Sequence, residues 1–579
     1  MTIGDAIRSL MPNGTKPSKK GMKRFDLDPD WKNCPGDPSD LFGVVAYLAE
    51  KSGLYAILGN AVNADEATFD EKQEHLKDVQ EWAQEWTQSE FQIVPKKIQD
   101  IGLNLLEKYG HHPVVDEDTR GKPAWHKIVL NLMAVADEAS TGLGFLLSST
   151  SDVTRPENKV LVKQIQYFNQ GERAFDPQER NSMCRLIKSD QLCVMPKALT
   201  TTVGCTLRSL THHLALLPGR GVVKTQWHVV AENSFYTIAP DGYQRTAQNV
   251  LIIPFPYVIR GGDFYASQDP KPAKRDGYFS IRQEWLPKKE TLRLLTALVV
   301  ELIQQAELEV DKVHQIVFPE CALTAELTKS LAIELGRKFS KLECLIAGTL
   351  DPDPSNVSRI KANNATIVEL IDGRVAAQFS QRKHHRWKLT ASQIETYGLA
   401  HVLDPEYDWW EETSVQQRRV HFVLNHRNWV RTVLVCEDLA RFDPVLPVIN
   451  AVGPNMVIAL LLDGPQLTNR WPARYATVLS EDPGSSILTL TSAGMVDRAL
   501  RPGFPRRRII GLWKDGAGPA REIELPDDAY ALVLTLTEHM QTQRTMDGRT
   551  DRGTATQLRL SAINPVRLVK KHDWIHRQT

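Results

Sequence analysis

The sequence has no stretch approaching the roughly 18 consecutive apolar residues that span a bilayer. Its opening segment, MTIGDAIRSLMPNGTKPSKKG, contains no apolar core followed by a cleavage site. Neither a membrane partner nor secretion is expected. Charge of one sign is also lacking: Lys plus Arg and Asp plus Glu each number 70, so the formal net charge is zero. A whole-molecule attraction to nucleic acid or to an anionic surface is thereby excluded, and only local patches remain. No cysteines form a C-x-x-C pair, and the seven present (34, 184, 193, 205, 321, 344 and 436) are an odd number in a long chain. A disulfide framework and a zinc site are both disfavoured. Reduced thiols in the cytoplasm are the better reading, and a reduced thiol is free to serve as a nucleophile. Fixed-period repeats and low-complexity runs are absent as well.

What is present is an ordinary globular composition, 42% hydrophobic and 24% charged, over 579 residues. At roughly 100–200 residues per domain, that length implies two or three domains. Residues 1–222 read as a mainly helical domain of unassigned role. Helical spacing and stop signals mark segments 41–52 (ended by Gly53), 66–87, 95–109 (ended by Gly110) and 123–139. Residues 150–180 and 215–222 are richer in turn formers and mark boundaries within this half. From about residue 223 to 540 the texture changes. Short apolar runs at 249–260, 313–318, 342–350, 431–436, 456–462 and 486–491 alternate with helical patterns at 289–306 and 326–339. Hairpins are expected at 368–381, turning on Asp372-Gly373, and at 509–525. Nearly all-apolar strands alternating with helices predict an α/β domain whose sheet is buried on both faces. Residues 541–579 read as a basic C-terminal extension.

Three features stand where strands are predicted to end: Phe318-Pro319-Glu320-Cys321, Gln381-Arg382-Lys383-His384-His385 and Val433-Leu434-Val435-Cys436-Glu437-Asp438. The rim of an α/β sheet is where ligands bind. Each feature alone has a bland explanation: a solvated Glu, a surface Lys, a small core Cys. Their ordered recurrence in one context is the signal.

The ordered set resembles the nitrilase superfamily of carbon–nitrogen hydrolases, over about residues 245–535. Glu320 matches the glutamate of that family's Pro-Glu strand end, and Asn363-Asn364 precede a hairpin as an Asn-containing strand does there. Lys383 matches the lysine and Cys436 the nucleophile. Cys436-Glu437-Asp438-Leu439 is similar to the glutaminase domains of NAD synthetases, Arg441-Phe442-Asp443-Pro444 to a run after the nucleophile in amidases, and Trp471 and Arg474-Tyr475-Ala476 to the closing helix. The resemblance implies a four-layer α-β-β-α sandwich and a homo-oligomer. It also implies hydrolysis of an amide, carbamoyl or glutamine-type small molecule through a Cys thioester, without metal or organic cofactor. Glu320 would be the base, Lys383 and the backbone N–H of Glu437 the oxyanion donors, and Cys436 the nucleophile. An additional downstream glutamate in many members is matched most nearly by Glu395. The chain departs from the family at Thr432, where glycine is usual, in its unusually basic lysine context, where Lys388 is a second candidate, and in the spacing of Glu395.

A reading from another class makes the hydrolase-like domain an assembly or sensing module of a larger bacterial system, defence-related ones included, that contacts nucleic acid or a partner protein. A similar domain is fused to some defence-associated reverse transcriptases. No Tyr-x-Asp-Asp motif occurs here, and the one Asp-Asp is Asp527-Asp528. A nucleic-acid strip would use Arg506, Arg507, Arg508, Arg544, Arg549, Arg552, Arg559, Arg567, Lys570 and Lys571; a solvated face or oligomer contact is the more economical reading. Trp574 is placed to anchor the tail on another subunit. His111-His112 and His212-His213 lack partners at metal spacing and read as structural or surface residues, and Asp116-Glu117-Asp118 as an acidic loop.

Overall fold

The computed structural model describes residues 1–15, 31, 33–56, 69–89, 91, 93–115, 124–141, 182–201, 204–230, 247–271, 275–353, 360–415, 418–425, 429–499, 507–550 and 555–576. The expected boundary at 150–180, the Asp116–Asp118 loop, Arg506 and Arg552 lie outside them. Five helices come first: α1 (Ile3–Leu10), α2 (Pro38–Ser52), α3 (Phe69–Gln88), α4 (Lys96–Tyr109) and α5 (Ala124–Ala139). Local chemistry sets α2. Asp37 caps it by accepting the Ser39 N–H at 2.9 Å, Pro38 opens its first turn, and Gly53 ends it at φ 67°. The hairpin β1 (Leu192–Pro196) and β2 (Leu214–Pro218) follows, so the half read as mainly helical also holds a two-stranded sheet.

Two buried carboxylates tie these helices to that hairpin region. Asp40 accepts backbone N–H groups of Arg185, Leu186 and Ile187 at 3.1, 2.9 and 3.1 Å. Burial pushes its carboxyl up to about 6. Asp137 accepts those of His212, His213 and Leu214 at 2.8, 2.9 and 3.0 Å, together with the Arg549 guanidinium at 2.9 Å.

The remaining order is β3 (Lys224–Val229), β4 (Gln248–Ile252), β5 (Phe264–Lys271), β6 (Asp276–Ile281), α6 (Thr291–Ala306), β7 (Gln315–Leu323), α7 (Ala325–Gly336), β8 (Cys344–Pro352), β9 (Lys361–Ile371) and β10 (Arg374–Arg382). Then come β11 (Lys388–Leu389), α8 (Ala391–Thr396), β12 (Asp408–Glu411), β13 (Arg419–Leu424), β14 (Val430–Val435), α9 (Val445–Val452), β15 (Met456–Leu460), α10 (Trp471–Glu481), β16 (Ser486–Leu490) and α11 (Ala493–Ala499). The hairpin β17 (Ile509–Lys514) and β18 (Arg521–Glu524) precedes the long pair β19 (Ala531–Gln541) and β20 (Ala555–Val566).

Two seven-stranded sheets dominate, ordered β10-β9-β8-β7-β4-β19-β20 and β18-β17-β16-β15-β14-β13-β3. They pack on each other through β7, β9, β10 and β20 of the first and β13 to β16 of the second. Helices α6 and α7 lie on the first sheet, and α10 and α11 pack on strands of the second. Val, Ile and Leu from both sheets form one core in which β4, β14, β15 and β16 are buried at every position. Each such side chain contributes about 1.5–3 kcal/mol of burial. This accounts for the near-continuous apolar runs: both faces of each strand are covered. A third sheet, β11-β12-β6-β5, has its own apolar cluster containing Phe279, Trp387, Tyr397 and Trp409.

Several expectations are corrected. The apolar run 249–260 is strand only to Ile252, since Pro254 and Pro256 cannot donate to a ladder. Residues 555–566 are not an extension but the full-length antiparallel partner of β19. Arg549 is buried among Asp137, Asp547 and Glu138 rather than on a basic strip. Trp574 packs against Phe255 of its own chain, the rings tilted with centroids 5.8 Å apart. Among the described residues, no helix is long and apolar enough to cross a membrane, and all seven cysteines are free thiols.

Candidate active site

Glu320 sits in β7, which runs on to Leu323 instead of ending at Phe318. Pro319 has no N–H to donate, and the pairing with β8 slips between Phe318 and Leu323. Cys321 takes a positive φ of 57° within that bulge. The bulge aims Glu320 into the interior, where it is 1% exposed. Gly348 of β8 makes this possible: a Cβ there would collide with Glu320 Cα and Pro319 O. Gly348→Ala is therefore expected to cost about 1–3 kcal/mol and to displace the carboxylate. A denaturation curve for the variant, read beside its cysteine reactivity, checks this; unchanged values for both would refute it.

Lys383 follows β10 directly, donates its backbone N–H to Asn363 O at 2.9 Å and is fully buried. Its ammonium donates to Glu320 Oε1 at 2.8 Å and to Glu411 Oε2 at 2.6 Å. Asn363 of β9 completes the cluster, its Nδ2 donating to Glu320 Oε1 at 2.7 Å and Glu411 Oε1 at 2.8 Å. The Trp387 N–H reaches Glu411 Oε2 at 3.1 Å. Glu320 Oε2 is buried and has no hydrogen-bond partner among the described residues.

Cys436 comes immediately after β14 and starts a 3-10 helix, Cys436–Ala440. Its φ of 47° is one that non-glycine residues rarely adopt and that concentrates at functional sites. Cys436 is 3% exposed, and both Glu320 and Lys383 act on its thiol electrostatically. Glu437 pairs its side chain with Arg441 at 2.7 Å, and its backbone N–H lies in the first turn of the 3-10 helix.

Electrostatics follow from burial and neighbours. Burial, with Cys436 close to the Glu320 charge, pushes the thiol well above its ordinary range despite Lys383. Burial also raises Glu320, with Glu411 adding to it and Lys383 opposing it. For Lys383 burial opposes the charge, but Glu320, Glu411 and Cys436 outweigh it and hold the ammonium well above the usual lysine value. The resting state is thus a fixed cation beside a protonated thiol and a carboxyl of raised proton affinity.

Two expectations are corrected. Glu395 lies on the exposed face of α8, not in the cluster; the second glutamate is Glu411. Lys388 forms a partly exposed pair with Asp408 at 2.7 Å. Glu411 escaped the sequence reading because Trp409-Trp410-Glu411-Glu412 looks like a strand end with solvated acids. Its signal was the alternation, which buries Trp409 and Glu411 on one side.

No protein-family model matches the chain, and no curated protein matches it in sequence. Over about half its length the chain is similar to solved structures of nitrilase-superfamily and carbon–nitrogen hydrolase proteins. Nit3 of Saccharomyces cerevisiae, a member of branch 10 of the nitrilase superfamily, is 13% identical, over 48% of this chain and 86% of its own, with a TM-score of 0.27. A carbon–nitrogen hydrolase from Helicobacter pylori G27 is 12% identical over 48% and 86%, with a TM-score of 0.27. The NitFhit protein of C. elegans is 11% identical over 57% and 62%, with a TM-score of 0.29.

Proposed function

We propose that the protein hydrolyses a non-peptide carbon–nitrogen bond in an amide, carbamoyl or glutamine-type small molecule through a Cys436 thioester, with Glu320 and Lys383 completing the triad. We also read the two large sheets with their helices as a four-layer α-β-β-α sandwich, and the active species as a homo-oligomer. One observation carries the chemistry: an ammonium clamped between Glu320 and Glu411 beside a strand-end cysteine, with one oxygen of Glu320 buried and unpartnered.

That oxygen is where a general base needs a vacant lone pair. Glu320 Oε2 takes the thiol proton as the Cys436 sulfur attacks the substrate carbon. The carbonyl oxygen gains the negative charge, and Lys383 and the Glu437 N–H stabilise it. Glu320 returns the proton to the leaving nitrogen, and the collapsing intermediate breaks the carbon–nitrogen bond to leave a thioester. Water then gives a proton to Glu320 and its oxygen to the acyl carbon; the acid departs and the thiol is restored. Lys383 stays charged throughout, as its two carboxylates require.

Selective alkylation tests this reading. Iodoacetamide is expected to label Cys436 in preference to the other six cysteines, and Glu320→Gln to lower that labelling by about 10²–10⁴-fold, the usual contribution of a general base. Because burial raises Glu320, the acid limb of the labelling profile should lie above the ordinary glutamate range. Uniform labelling of several cysteines, or none at Cys436, would favour the assembly-module reading.

A further inference from the structure

The lysine and the cysteine arrive at the site on separate strands, at the end of β10 and just past the end of β14. These strands belong to different sheets. The two reacting groups lie on the loops just beyond these strand ends. One side chain spans them. Asp438, two residues after Cys436, is 2% exposed. Its Oδ1 accepts the backbone N–H of His384, the residue after Lys383, at 3.0 Å, and that of His385 at 3.0 Å. Its Oδ2 shares the His384 N–H at 3.0 Å, and the His385 imidazole Nδ1 approaches Oδ1 at 3.0 Å. His384 is held from the other side too, its Nε2 lying 3.0 Å from Arg419 O.

We propose that Asp438 is a positioning residue for the thiol chemistry: a single carboxylate that fixes the lysine-bearing loop against the cysteine-bearing turn. It touches neither thiol nor ammonium in this role. It sets their separation through two consecutive backbone amides. Hydrogen bonds to an ionised carboxylate are roughly twice as strong as neutral ones. A reacting group misplaced by about 1 Å costs on the order of 10²-fold in rate. Asn in its place keeps one acceptor oxygen for the two amides, but it loses the charge and turns an NH2 toward the shared His384 N–H, donor against donor.

The proposal rests on Cys436 being the reactive thiol, and the test separates the two claims. Rates of Cys436 alkylation by iodoacetamide are measured across pH for the unaltered full chain, Asp438→Asn and His385→Ala, with thermal midpoints for each. Asp438→Asn is expected to slow labelling at neutral pH by about 10–10²-fold and to displace the pH profile. His385→Ala, which keeps both amide bonds, should overlay the unaltered protein. Selective labelling of the unaltered protein with an unchanged profile for Asp438→Asn, whatever its thermal midpoint, would leave Asp438 merely structural and overturn the proposal. Absent labelling at Cys436 in the unaltered protein overturns both claims. Hydrogen exchange of the unaltered chain requires no variant. The His384 and His385 amides should exchange as slowly as sheet amides, and exchange at loop rates overturns the staple.

Discussion

Lys383→Met should destabilise the chain by about 3–5 kcal/mol, the cost of removing one partner from a buried ionic cluster, and abolish preferential alkylation of Cys436. The methionine fills much of the lysine's volume, so the loss is electrostatic. Glu320 and Glu411 would face Asn363 with no cation between them, both at most 4% exposed. Such a pair cannot remain doubly ionised, and one carboxyl takes up a proton. Glu320 is already raised by burial with Lys383 present; without Lys383 it rises further, and a protonated Glu320 cannot accept the thiol proton. A companion variant separates stability from chemistry. Lys383→Met with Glu411→Gln removes the like-charge conflict and should recover part of the stability in a urea melt. Labelling should stay low, because the cation that lowers the thiol and stabilises the oxyanion is still missing. Labelling of the double variant at the unaltered rate would sink the role assigned to Lys383. The sign of the linkage is definite as well. A lysine held above its ordinary value contributes stability at every pH below that value, and the contribution is lost only as pH rises through the raised value.

Legibility in the sequence tracked how local each determinant was. Glu320 and Cys436 could be picked out because each directly follows an apolar run, and Lys383 because it closes the second arm of a hairpin; such features are visible one segment at a time. The hairpin turning at Asp372-Gly373 was equally local and appears between β9 and β10. Glu411 was not legible in this way. It belongs to a four-residue strand that pairs in parallel with β6, far earlier in the chain, and nothing near Lys383 announces that pairing. Glu395 was the nearer acid in sequence, but helical phase puts it on the solvent face of α8. Pro319 was read as a stop because it ends a ladder; the bulge that carries β7 past it depends on Gly348 opposite, which only the fold brings near. Charge misled at the C-terminus. The arginines of 541–579 drew the eye from the alternation Gln557-Leu558-Arg559-Leu560, the period of a half-buried strand, now seen as β20.

Arg549 gives the other large effect, far along the chain from the chemistry. Arg549→Met is expected to cost about 3–5 kcal/mol, because the guanidinium holds three separate pieces together. It donates to Asp137 of α5 at 2.9 Å, to Asp547 of its own turn at 2.9 Å and to Leu210 O before β2 at 2.7 Å. Asp137 in turn accepts three backbone amides, and burial opposes its charge. Arg549, with His213 and His212, outweighs that and holds the carboxyl down to about 2. The depressed value fixes the pH dependence. The contribution is complete above the ordinary aspartate value near 3.8 and disappears as pH falls through about 2. Urea melts of the unaltered chain, Asp137→Asn, Arg549→Met and the double variant form a cycle. The double variant should lose less than the two singles combined, with a coupling of about 1.5–3 kcal/mol that shrinks when the cycle is repeated near pH 2.5. A coupling below about 0.5 kcal/mol at neutral pH would mean the two groups act independently. Asp137 would then be a cap for the 212–214 amides alone, and the link between the helical segment and the β19–β20 turn would have to come from apolar packing.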